Sequence, residues 1–256
     1  MQDSLEIKGI RFGDGRPVIC VPVVEQERED IAARVQSLAE RGAQMIEWRA
    51  DRFSGVGQPD AVRAVLEGLR PFTRDVVLLF TIRTKNQGGC ATLSESEILH
   101  ACEIAAKSGS IDMIDLEYFE REKPEREIRR LQQTGVRVIA SHHDFRATPD
   151  DVILKKLMEQ LLASGADIAK LAVMPQSPDD VVRLLRLTSD TKQTDPDCRI
   201  ITIAMGDLGV VSRVSGETFG SCVTFGADGE GSAPGQLQAD TLAVILDALH
   251  SSKMVD

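Results

Sequence analysis

At 256 residues, 42% hydrophobic, 27% charged and poor in aromatics, the chain has the aliphatic content for one large core and the length of a single-domain barrel, about 250 residues. A formal charge of −10 with no basic block excludes nucleic acid and anionic membrane surfaces as expected partners; a few converging arginines could still receive an anionic small molecule. Cys20, Cys90, Cys102, Cys198 and Cys222 form no CxxC or Cys/His ligand grouping, the opening MQDSLEIKGIR lacks an apolar h-region, and no run approaches about 20 apolar residues, so buried thiols, no metal, no membrane span and a reducing cytoplasmic location are expected.

Residues 5–16, LEIKGIRFGDGR, read as a hairpin closing a barrel floor, with the GDG turn between two short β-like pieces. Eight short apolar runs follow: VICVPVV from Val18, MIEWRAD from Met45, VVLLFTIR from Val76, IDMIDLE from Ile111, VRVIASHHD from Val136, DIAKLAV from Asp167, RIITIAM from Arg199 and SCVTFG from Ser221. Near-continuous apolarity fits strands covered on both faces. The stretches between them carry apolar residues at helical spacing, as in Ile31, Val35, Leu38 and in Leu242, Ile245, Leu249. Ser94 with Glu97 makes a capping box, Thr148-Pro149 and Ser177-Pro178 open two helices, and Gly42, Gly109, Gly135 and Gly165 lie near helix ends. Only GDLGVVSRVSGETFG, after the seventh run, is too short and glycine-broken for a full helix. Eight β-then-α alternations with no linker predict one (β/α)8 TIM barrel over residues 1–256, ahead of an open doubly wound sheet; residues 251–256 are expected to fray.

Barrels of this kind bind ligands at the carboxyl ends of their strands. The polar residues there are Glu47, Arg49 and Asp51 on the second run, Arg83 on the third, Asp115 and Glu117 on the fourth, Ser141, His142, His143 and Asp144 on the fifth, Lys170 on the sixth, with Met205 on the seventh. Alternation puts Glu47, Arg49 and Asp51 on one face and Trp48 on the other; taken alone, this trio reads first as an internal salt-bridge network. Lys170 is the sharpest signal, the only charge between Asp167 and the end of its run, and desolvation favours the neutral amine that attacks carbonyls. A structural lysine paired with a carboxylate is an equal alternative on position alone. Of His142 and His143, one points inward, and parity does not say which; His100 and His250 sit on helices as surface or packing residues. The segment FGADGEGSAPGQ reads as a lid, Asp228 and Glu230 arguing against phosphate, with Ser232, Gln236 and the upstream Arg213 supplying donors suited to a carboxylate.

From the second run to the last helix, these residues in this order resemble the type I 3-dehydroquinase family. The matching segments are MIEWRAD, FTIRTKNQGG, IDMIDLE, SHHDF, GADIAKLAVMPQS, VSRVSGETFGSCVTFG and SAPGQ; ADIAKLAVMPQS and TFG followed by SAPGQ are the most specific. The resemblance implies dehydration of 3-dehydroquinate to 3-dehydroshikimate, a shikimate-pathway step, with Lys170 condensing with the C3 ketone and His143 as general acid/base. It implies Glu47, Arg49 and Arg83 toward the ring hydroxyls, Arg213, Ser232 and Gln236 toward the carboxylate, Met205 and Phe225 along the apolar walls, and a homodimer. A protonated imine is the electron sink that lets a poorly acidic α-proton leave, so neither metal nor cofactor is expected. Gln87 departs from the family pattern, standing where many members carry Glu; if that carboxylate orients or polarises the histidine, the role here passes to Asp115, Glu117 or Glu47, or is weaker. His142 likewise stands where some members carry Asn. The rival classes are a class I aldolase, which also uses a barrel lysine, and a non-catalytic barrel in which Lys170 only packs.

Overall fold

The structure, a computed structural model, describes residues 5–229 and 231–252. Glu230 and residues 253–256, which include most of the tail expected to fray, lie outside the described residues. The strands are β1 (Leu5–Ile7), β2 (Ile10–Phe12), β3 (Val18–Val23), β4 (Met45–Arg49), β5 (Val77–Thr81), β6 (Met113–Glu117), β7 (Arg137–Asp144), β8 (Ile168–Val173), β9 (Ile200–Ala204) and β10 (Val223–Phe225). The α-helices are α1 (Arg28–Glu40), α2 (Pro59–Leu69), α3 (Glu95–Lys107), α4 (Pro124–Gln132), α5 (Asp151–Ala163), α6 (Pro178–Thr194), α7 (Val210–Val214), α8 (Gly216–Phe219) and α9 (Ala239–Ser252). From β3 onward each strand is followed by helix, and all eight apolar runs became strands whose residues are mostly buried, as near-continuous apolarity requires. The glycine-broken stretch after β9 holds only the short α7 and α8.

The chain divides into two compact units, one of Met1–Pro22, His143–Leu162 and Ile168–Asp256, the other of Val23–His142 and Ala163–Asp167. In the second unit β4, β5, β6 and β7 pair in parallel, in chain order, with Arg49 opposite Thr81, Thr81 opposite Asp115, and Glu117 opposite Ser141. This register stacks the polar strand ends side by side. Trp48 is fully buried on the other face of β4, edge-on to Phe80 at 5.3 Å. In the first unit β8 pairs in parallel with β9, Lys170 opposite Ile201, and β10 pairs in parallel with β3, Phe225 opposite Cys20.

Helix starts follow local chemistry. Capping boxes form at Ser94/Glu97 and at Ser177, where Asp180 reaches back. Thr148-Pro149 does not open α5: the helix begins two residues later, and Asp150 caps it by accepting the Ile153 N–H at 3.0 Å. The hairpin also differs from the sequence reading. β1 and β2 pair antiparallel with Ile7 opposite Ile10, so the turn is Lys8-Gly9, both at positive φ, and GDG lies beyond β2. A turn needing two left-handed residues accepts Lys-Gly at some strain on the lysine, and it leaves each strand its apolar inward residues, Leu5 and Phe12.

Candidate active site

In the second unit a buried ionic network occupies the carboxyl ends of β4 to β7. Arg83, two residues past β5, donates from Nη1 to Glu117 Oε1 at 3.0 Å and to Ser141 Oγ at 3.1 Å, and its Nη2 lies 2.9 Å from Asp115 Oδ1. Ser141 in turn donates to Asp115 Oδ1 at 2.5 Å, and Glu117 Oε1 also accepts the Thr84 N–H at 2.9 Å. Burial alone would weaken Arg83 as a base, but Asp115 and Glu117 outweigh it and hold the guanidinium protonated well above its usual range. Glu47 Oε1 accepts from Thr81 at 2.8 Å.

Arg49 grips Asp51 through two parallel bonds of 2.8 and 2.9 Å. Asp51 is not on the strand face foreseen for it: β4 stops at Arg49, and residues 50–52 turn as a 3-10 helix that folds the carboxylate back onto the arginine. Burial pushes the Asp51 carboxyl up, but the Arg49 bonds and the Cys90 N–H at 3.0 Å outweigh it and set the group below the usual carboxylate range. Gly89 makes this loop possible, since a Cβ there would sit 2.1 Å from the Arg83 carbonyl oxygen. Gln87 is buried, its Nε2 3.4 Å from Glu120 Oε1, while Asn86 donates to the other Glu120 oxygen at 3.1 Å. The three carboxylates named as replacements for a charge at position 87 bond groups of their own unit: Glu47 to Thr81, Asp115 to Arg83 and Ser141, Glu117 to Arg83 and Thr84.

Strand parity now separates the two histidines. His143 shares the parity of Ser141 on β7, and its ring stacks on Phe145 at 6.5 Å. His142 faces the other way, edge-on to Phe119 at 5.0 Å. Neither was separable in sequence, because the partner Phe119 lies on a loop whose path the pattern does not give.

In the first unit Lys170, 3% exposed, places its Nζ 4.4 Å from the centre of the Phe225 ring. Met205 is buried directly after β9, its N–H on the Val173 carbonyl at 2.8 Å. The Arg213 carbonyl accepts from Thr224 at 2.8 Å, and the neighbouring Ser212 Oγ accepts the Ala204 N–H at 3.0 Å. The Arg213 guanidinium, 2% exposed, donates from Nη2 to the Pro234 carbonyl at 2.7 Å, and among the described residues no carboxylate is paired with it. Burial accordingly pushes the Arg213 pKa down to about 10. Ser232 and Gln236 bond each other, the Gln236 Oε1 accepting the Ser232 N–H at 2.8 Å. Among the described residues no group of three His, Cys, Asp or Glu side chains is placed to hold a metal ion, and no helix is long and apolar enough to cross a membrane. His250 pairs through Nδ1 with Glu217 at 3.0 Å, tying α9 to α8.

The profile of the family described as type I 3-dehydroquinase matches residues 19–253. A 3-dehydroquinate dehydratase of Klebsiella pneumoniae subsp. pneumoniae is 40% identical over 255 residues, covering 97% of this chain and 100% of that protein. One from Lactiplantibacillus plantarum is 38% identical over 250 residues, covering 97% of this chain and 99% of that one. The crystal structure of 3-dehydroquinate dehydratase from Geobacillus kaustophilus superposes with a TM-score of 0.93 at 35% identity, covering 98% of this chain and 97% of that one. A type I enzyme from Clostridium difficile, solved with covalent modified comenic acid, gives a TM-score of 0.92 at 36% identity, covering 97% of this chain and 98% of that one. With the eight β-then-α alternations, this likeness establishes the (β/α)8 TIM-barrel class.

Proposed function

Given that the chain belongs to the type I 3-dehydroquinase family and is a hydro-lyase that dehydrates 3-dehydroquinate, we propose that it does so through a Schiff base on Lys170, with His143 as general acid/base. The observation that carries this reading is the amine of a strand lysine, 3% exposed and set 4.4 Å from an aromatic ring, in the same unit as His143 and Arg213. A buried strand amine beside an aromatic ring is a position from which a lysine can add to a bound ketone.

The steps balance as follows. The Lys170 amine adds to the C3 carbonyl and, with His143 shuttling protons, loses water to give the protonated imine. His143 takes a proton from C2, the electron pair passing into the imine as an enamine. The enamine expels the C1 hydroxyl, which leaves as water with the proton from His143. Hydrolysis then returns the amine and releases 3-dehydroshikimate, one water lost overall.

Arg213, a buried cation without a paired carboxylate among the described residues, is the anchor for the substrate carboxylate, with Ser232 and Gln236 beside it in sequence as further donors. Glu47, Arg49 and Arg83 serve the ring hydroxyls; the internal bonds of Arg83 already offset its charge, which suits it to neutral partners rather than anions. Met205 and Phe225 form apolar wall. The single 1–256 domain, the hairpin as barrel floor, the shikimate-pathway role and the homodimer belong to this reading. So does a reducing cytoplasmic location, supported by five cysteines that are all free thiols. An aldolase or a merely binding barrel does not fit the family match.

The test is to incubate the protein with 3-dehydroquinate, follow the ultraviolet absorbance of the enone, add borohydride and weigh the intact protein. Growth of enone absorbance with a substrate-derived mass gain supports the reading; turnover without a gain removes the imine, and neither removes the activity.

A further inference from the structure

Arg213 lies on α7, five residues long, and its only hydrogen-bond acceptor among the described residues is a backbone carbonyl in the segment after β10. The Pro234 oxygen accepts twice, from Arg213 Nη2 at 2.7 Å and from the Gly206 N–H at 3.2 Å. That double acceptance requires two backbones to cross in contact. A Cβ on Gly235 would sit 2.2 Å from the Gly206 carbonyl oxygen and 2.7 Å from its carbon, which no side chain tolerates. Gly235 also has φ +73, in the left-handed region. Gly206 is at φ 70, ψ −178, a conformation essentially confined to glycine. The close approach thus requires glycine at 235, and the torsions favour glycine at both positions, where the segment after β10 meets the end of β9. Gln236 folds back on the same turn, its Oε1 taking the Ser232 N–H at 2.8 Å.

We propose that Gly206 and Gly235 are positioning residues for the carboxylate anchor: their backbone crossing fixes the Pro234 carbonyl, and that carbonyl fixes the Arg213 guanidinium in the orientation that receives the substrate carboxylate. The inference rests on the assignment of Arg213 to that carboxylate. A guanidinium held by one acceptor keeps its remaining N–H groups directed as a preformed fork; released from it, the long side chain must be ordered at each binding event. The crossing therefore acts on binding of the anion and leaves the chemistry at Lys170 alone.

The experiment measures kcat and KM for Gly235→Ala, Gly206→Ala, Arg213→Ala and the two Gly/Arg213→Ala doubles, with thermal unfolding of each so that every assay runs below its midpoint. Gly206→Ala is the milder change, its Cβ meeting only the flexible Met174 Sδ at 3.3 Å, and it decides the matter if Gly235→Ala does not fold. A misplacement of the anchor predicts kcat/KM lower by about 10²-fold, carried by KM with kcat within about threefold. Each double should be no worse than Arg213→Ala alone, because the glycines act only through that guanidinium. An unchanged KM in a folded glycine variant, or losses that multiply in the doubles, would overturn the proposal. Borohydride trapping of the wild-type protein is run alongside. Failure to trap an adduct there counts against the Schiff base, whereas normal trapping with multiplicative losses counts against the glycine crossing alone.

Discussion

The two units treat their buried charges in opposite ways. At the ends of β4 to β7, Arg49 and Arg83 are matched by Asp51, Asp115 and Glu117 through bonds of 2.8 to 3.0 Å, with Ser141 and Thr81 taking further contacts. In the other unit Lys170 faces an aromatic ring and Arg213 a lone backbone carbonyl. A network whose members satisfy one another is rigid and chemically quiet; a buried guanidinium such as that of Arg213, with no carboxylate paired to it among the described residues, is costly, and such cost is found where a ligand will relieve it. In the proposed mechanism, holding and hydroxyl recognition fall to the first group, and reaction and anion capture to the second.

The comparison breaks most visibly at Lys170. Lys170→Met keeps the length that packs on Phe225 and removes the nucleophile, so kcat should fall by at least ~10⁴-fold with a near-unchanged melting temperature; a large melting shift with residual activity would mark the lysine as structural. His143→Gln should cost about 10²- to 10⁴-fold in kcat, the usual range for a lost acid/base, with the loss restored in part by added imidazole. The quiet network answers differently. Asp115→Ala leaves Arg83 short of a partner and should lower stability by about 3–5 kcal/mol, read by urea unfolding, while Lys170 still forms its adduct below the unfolding transition.

Two pH limbs sharpen the contrast further. Arg213, with its pKa pushed down to about 10 by burial, is charged below that value, so KM for the carboxylate substrate should be flat from neutrality and climb as pH rises through about 10; Arg213→Ala should abolish that limb. The smallest effect is at Asp51. Its folded pKa is depressed, so it contributes stability that is present above the unfolded value of about 3.9 and lost as pH falls through the lower folded value. Acid unfolding of Asp51→Asn should therefore show a shallower dependence below about pH 4, whereas the wild-type slope in the variant would place the Arg49 pairing outside the stability of the fold.

Much of this was legible in the chain itself. The strands announce themselves because burial on both faces demands unbroken apolar runs, and Lys170 stands out because a charge in such a run needs a reason. Turn positions were less legible: the sequence reading put the turn at GDG, and only the pairing of Ile7 with Ile10 moves it to Lys8-Gly9. Asp51 was misplaced because alternation extends a strand indefinitely, whereas a bidentate grip by Arg49 ends it. Least legible was which charges are satisfied. Arg83 collects acceptors from β6 and β7, at residues far away in sequence, and the Pro234 carbonyl that holds Arg213 carries no side-chain signal at all.

The most direct measurement is peptide mapping of borohydride-trapped protein after incubation with 3-dehydroquinate, for the wild type, Lys170→Met and Glu117→Gln together. The division of labour predicts one modified peptide, carrying Lys170, in the wild type and in Glu117→Gln, and none in Lys170→Met. A mass gain on another lysine, or one that persists in Lys170→Met, would contradict it.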